Sequence, residues 1–135
     1  MKESFKPVTL VLLYGLAMAG VLIGINVHYD TYRELWSTSV LIAVMIITQI
    51  TFVALAQRNI RPLIGSSWIK LSLAGWMAFM ISEIIFQVYE SISGEGVNIA
   101  NIFSAWVMWG VYFSPVPMIT AVILVKYLGA KNGKL

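Results

Sequence analysis

Cysteine is absent from the 135 residues, which excludes disulfides, thiol redox chemistry and any metal or cluster held by thiolates. Charge is scarce. Asp, Glu, Lys and Arg make up 11% of the chain, less than half the share usual in a soluble domain. Histidine occurs once, as His28 beside Asp30, and a lone His-x-Asp has too few ligands for a metal site. No Gly-rich phosphate loop is present, and no nucleophile stands next to a recognisable base. These absences remove the usual routes to catalysis, so the chain is not expected to be an enzyme, and no cofactor or metal is expected.

Apolar residues fill the space that charge leaves. They account for 59% of the sequence, and the mean hydropathy is +0.84. A soluble chain this short cannot hide that much apolar surface in a single core, so lipid must be the solvent for most of it. The net charge of +3 and the pI of about 9.3 do not point to nucleic acid, because the basic residues lie in short segments between apolar runs. The expected fold is all-α: one domain, residues 1–135, forming an integral membrane bundle of four transmembrane helices with short loops.

The four spans are expected at about 7–27, 37–56, 68–89 and 99–125. The first apolar run is longer than a secretory signal core and lacks a small-residue cleavage site before His28, so it reads as a retained helix. Gly20 and Gly24 in this run have the spacing that lets a second helix approach closely. The second span has Thr48, Gln49 and Thr51 near its middle, polar groups suited to hydrogen bonds between helices or, for Gln49, to a ligand. Residues 57–70 follow as the most basic segment, and Pro62 and Gly65 there predict a turn. The fourth run is long: 27 residues at 1.5 Å each span about 40 Å, too much to stand upright in a core of about 30 Å. Pro115 and Pro117 predict a kink that frees the carbonyls of Val111 and Phe113.

Basic residues orient the bundle. Lys2, Lys6, Arg58, Arg61, Lys70, Lys126, Lys131 and Lys134 fall on one side, and Arg33 alone on the other, with Asp30, Glu34, Glu90 and Glu95. The positive-inside rule makes the basic side cytoplasmic, with both termini there, in a plasma or inner membrane. A protein of dual topology would lack this bias.

One stretch departs from plain scaffold. Residues 71–89 are apolar almost throughout yet carry Glu83 among Ile81, Ile84, Ile85 and Phe86. A charged side chain at mid-membrane costs about 2.5–3.5 kcal/mol on insertion scales. Gln87 lies one turn above on the same face and can share a hydrogen bond with it. Ser82 or the Trp106 indole are further candidate partners, and Trp106, Trp109 and Phe113 share a face able to line a pocket. Glu83, Gln87, Gln49 and Trp106 are therefore the candidate ligand- or proton-binding residues.

Two function classes are consistent with this pattern. One is an accessory or assembly subunit without chemistry of its own, associating in the lipid bilayer as a homo-oligomer or with a larger membrane protein. The other is a small proton- or cation-coupled transporter that uses Glu83.

Overall fold

In hydrocarbon a backbone amide has no water to bond, so an apolar run of twenty or more residues satisfies itself as a helix. The computed structural model describes residues 2–65, 67–94 and 98–128, and among these the chain is all-helical apart from short connections. Helix α1 is Lys2–Thr31, a short 3₁₀ turn covers Arg33–Leu35, and α2 is Thr38–Ile64. Helix α3 is Trp68–Ser93, α4 is Ile99–Phe113 and α5 is Pro115–Ile123, followed by a π-helical turn, Leu124–Leu128. Four helical stretches, Lys6–Thr31, Thr38–Ile64, Trp68–Ser93 and Ile99–Lys126, are long and apolar enough to cross a membrane. Glu95, Lys131 and Lys134, used above to orient the chain, lie outside the described residues.

Helix α2 corrects the turn expected over 57–70. It continues through Pro62 and stops only at Gly65, whose φ of 90° and ψ of −176° suit glycine alone. Proline deprives the last turn of one amide. The turn holds because Ile60 is fully buried and Ile64 packs against the core beside it. The connection to α3 shrinks accordingly.

Helix α3 is the centre of the molecule and packs against α1, α2, α4 and α5. Its buried face includes a stripe of small residues: Ala74, Ala78 and Ser82 follow at intervals of four, with Gly75 beside Ala74. Small side chains let backbones approach, which in lipid is the main source of helix–helix attraction. A Cβ on Gly110 of α4 would lie 2.5 Å from Met80 Sδ, and Gly75 makes an equally close approach. A Cβ there would lie 2.5 Å from Gln57 Nε2 and 2.9 Å from Val53 Cγ1. On α1 the contact glycine is Gly15, where a Cβ would fall 2.7 Å from Ile81 Cγ2. Gly20 and Gly24, singled out above for packing, have no atom of this chain within 4 Å of such a Cβ and face outward.

Gln57 ties three helices together. Its Nε2 donates to the Leu71 carbonyl on α3 at 3.0 Å and to the Pro117 carbonyl on α5 at 2.8 Å. Its Oε1 accepts from Thr120 Oγ1 at 2.7 Å. The side chain is fully buried, with both amide hydrogens donated and its oxygen accepting from Thr120. By contrast, Thr48 and Thr51 bond carbonyls of their own helix, Val44 and Ile47, and join nothing to α2.

Interhelical hydrogen bonds in lipid contribute roughly 0.6–2 kcal/mol each. Gln57→Leu is therefore expected to destabilise the protein by about 2–4 kcal/mol in a denaturant titration in mild detergent. Gly75→Ala acts on the same contact by pushing Gln57 aside, so the double variant should cost clearly less than the sum of the singles. Strict additivity would show that the two residues do not share one contact.

Candidate functional site

The outer half of α3 carries the chain's unusual polar face. Glu83, Gln87 and Glu90 are separated by four and three residues, which places them on one side of the helix in successive turns. Glu83 is ten residues from the Ser93 end, about 15 Å along the axis. Gln87 Nε2 donates to Glu83 Oε1 at 2.8 Å, the contact anticipated from the spacing.

Towards its other end α3 is held tightly, and there the aromatic residues act as staples. Trp106 Nε1 on α4 donates to the Met80 carbonyl at 2.7 Å, and Trp76 Nε1 on α3 returns a bond to the Gly110 carbonyl at 3.0 Å. The second bond follows from the proline pair. With α4 ending at Phe113, the Ser114 amide turns to the Val111 carbonyl at 3.3 Å, and the Gly110 carbonyl takes the indole. Ser114 Oγ also donates to the Val111 carbonyl, at 2.8 Å, so the group freed by Pro115 is satisfied locally. Pro115 and Pro117 thus divide the fourth span into α4 and α5, and the Val111 carbonyl is not left for a ligand.

Beyond these staples α2 and α4 flank α3 without closing over it, leaving a cleft of about 360 Å³. Helix α2 supplies Ile42, Met45, Ile46 and Gln49. Helix α3 supplies Phe79, Phe86, Glu83, Gln87 and Glu90, and the fourth span supplies Trp109, Tyr112, Phe113 and Val116. Phe79 and Phe113 stack at 3.9 Å with planes 6° apart and bridge α3 to α4 at one end. The lips are open sideways: Ile42 and Ile46 on α2, and Trp109 and Tyr112 on α4, all remain exposed.

Glu83 is the most enclosed charge in this cleft, only 5% exposed. Its Oε1 is engaged by Gln87, and no protein donor reaches Oε2. Among the described residues no fully buried side-chain oxygen or nitrogen lacks a partner, so Oε2 is the part of the carboxyl that opens onto the cleft. The residues lining the cleft include no Lys, Arg or His. Gln49 faces the same space and has no hydrogen-bond partner among the described residues.

Of the four candidate site residues, Glu83, Gln87 and Gln49 come together in the cleft, and Trp106 does not. Its indole is committed to Met80, while Trp109 and Phe113 from the same face line the cleft. Ser82 also turns away from Glu83. Its hydroxyl donates to the Phe79 carbonyl at 2.7 Å and lies against Met18 Sδ. Glu90 lies just beyond the expected span 68–89, but α3 continues to Ser93 and presents it to the cleft. The spacing of seven from Glu83 was the available signal. His28 and Asp30 do not converge: His28 Nδ1 accepts from Trp36 Nε1 at 2.9 Å, and Asp30 meets Arg33 at 3.5 Å.

Chemically, the arrangement offers a carboxylate oxygen, a second carboxylate two turns away and amide groups inside an apolar, aromatic wall. It can hold a proton or a cation. No family model, curated protein or solved structure matches this chain, so the reading of the cleft rests on its own chemistry.

Proposed function

We propose that this chain is a small polytopic protein of the plasma or inner membrane that binds a proton or cation at Glu83 and couples that binding to transport. The observation that carries this reading is the free oxygen of Glu83, which opens onto an apolar cleft lined by no basic residue. Ionisable groups at membrane depth are costly and mark ion or proton pathways when they face a cavity.

The reading as an assembly component is supported by a separate observation on α1. Gly20 and Gly24 stand on its outer face with open space before them, room for a helix of a second copy or of a larger membrane protein. The two readings are compatible, since a homo-oligomer can carry one cleft in each protomer.

Orientation belongs to the same proposal. Lys6, Arg58, Arg61 and Lys70 share one side with the C-terminal Lys126, and Arg33 is the sole basic residue of the other. Both termini are thereby assigned to the cytoplasm. The natural lack of cysteine makes this directly testable. A Leu35→Cys variant in intact cells should react with a membrane-impermeant maleimide, and a Ser67→Cys variant only after lysis. The reverse pattern would invert the topology.

Function is tested in sealed liposomes containing the purified protein, with a potassium-driven membrane potential and an internal pH dye. Wild-type protein should conduct protons faster than empty liposomes. Glu83→Gln keeps the side-chain size and should retain the wild-type elution profile while reducing the flux at least tenfold. Undiminished flux in a well-folded Glu83→Gln protein would remove Glu83 from the pathway.

A further inference from the structure

The cleft's shape and lining restrict what kind of cation it accepts. A divalent metal ion needs several oxygen ligands converging within about 2.6 Å of one point. Glu83 and Glu90 are seven residues apart, about 10 Å along α3, and the carboxylate of Glu83 is bonded to Gln87 rather than gathered with other acids. Among the described residues no group of three His, Cys, Asp or Glu side chains converges anywhere. Each level of the cleft therefore offers one negative charge, which matches a single positive group rather than a chelated ion.

The walls specify the rest of the ligand. Volumes of about 300–1,000 Å³ are typical of small-molecule sites, and this cleft, at about 360 Å³, is large for a hydrated inorganic ion. Its lining is mainly aliphatic and aromatic, with Phe86, Trp109 and Phe113 in the same space as Glu83. Aromatic faces attract organic cations through their quadrupole, most strongly for Trp and most strongly where water is excluded. The opening between Ile42 and Ile46 on α2 and Trp109 and Tyr112 on α4 faces sideways, in the direction from which a lipid-soluble molecule arrives.

We propose that the α2–α3–α4 cleft binds a monovalent hydrophobic organic cation bearing an aromatic ring, its positive group on Glu83 and its ring against Trp109 and Phe113. This rests on the reading of Glu83 as a cation-binding group and names the ligand class. Glu90, nearer the Ser93 end, attracts the cation and Glu83 retains it. Gln49, unpartnered on α2, is available to a polar atom of the ligand.

Three probes separate charge from ring: benzyltrimethylammonium carries both, tetramethylammonium lacks the ring, and neopentylbenzene is the uncharged isostere. Binding is measured by calorimetry on the full chain in phosphatidylcholine nanodiscs, with empty nanodiscs subtracted. Benzyltrimethylammonium should bind saturably, one per protomer, and at least tenfold more tightly than either relative. Glu83→Gln should weaken it at least tenfold, Glu90→Gln a few-fold, and Trp109→Leu more than Trp109→Phe. The Trp109 pair keeps the test decisive where Glu83→Gln fails to fold.

Equal behaviour of the three probes, or binding indifferent to both Glu83→Gln and Trp109→Leu, would overturn the proposal. Self-crosslinking of an Ile46→Cys variant through the cleft lip, with no probe binding, would overturn it in favour of a second copy as occupant. Loss of proton flux in Glu83→Gln without benzyltrimethylammonium binding would retain Glu83 as a proton site and reject this ligand class. Absence of both signals would reject the two readings together.

Discussion

The contact between Gln57 and the carbonyls of Leu71 and Pro117 holds α2, α3 and α5 in register, and the rest of the structure depends on it. It exists because Gly75 leaves room: any side chain there would occupy the place of the Gln57 amide. In lipid, apolar contact between helices gains little over apolar contact with acyl chains, so close approach and interhelical hydrogen bonds set the arrangement. Gln57 supplies the hydrogen bonds and the small face of α3 supplies the approach. Two indole bonds, from Trp76 and Trp106, extend the attachment to α4.

These attachments lie towards one half of α3, and the cleft is their complement in the other half. Where Gln57, Gly75 and the indoles draw the helices together no space remains. Past the Phe79–Phe113 stack, α2 and α4 present larger side chains and stay apart. Glu83 sits just beyond that boundary. One oxygen of this acid is satisfied by Gln87 a turn away, and the other opens onto the cleft. The lining residues supply no competing cation, and a positive group brought to that oxygen would be attracted strongly in a low-dielectric setting.

Much of the site was legible one helix at a time. The Glu83–Gln87 pair follows from a spacing of four on a helix, and the apolar runs identify the helices. Legibility failed wherever two helices had to be compared. Gln49 stood out as the polar residue in the middle of the second span, whereas Gln57, which does the joining, looked like the start of a loop. Its membership of the helix was encoded in the continuing stripe of Val53, Ala56, Gln57 and Ile60, which Pro62 obscured. Gly20 and Gly24 had the familiar spacing, but the glycines that meet a neighbouring helix inside the chain are Gly15, Gly75 and Gly110. Trp106 and Trp109 could not be told apart by pattern, although one became a staple and the other part of the cleft.

By itself the sequence determined four apolar helices long enough to cross a membrane, the shortage of reactive groups, and an acid, Glu83, placed with Gln87 on one helical face. Those properties are local, set by composition and by the 3.6-residue period of the helix. Only the tertiary structure decided which faces meet, that Gln57 is the joint, and that Glu83 and Gln49 line one cleft. The physical reason is that residues facing lipid and residues facing a neighbouring helix are equally apolar. Hydropathy cannot distinguish them, and shape and hydrogen bonding between distant segments make the choice.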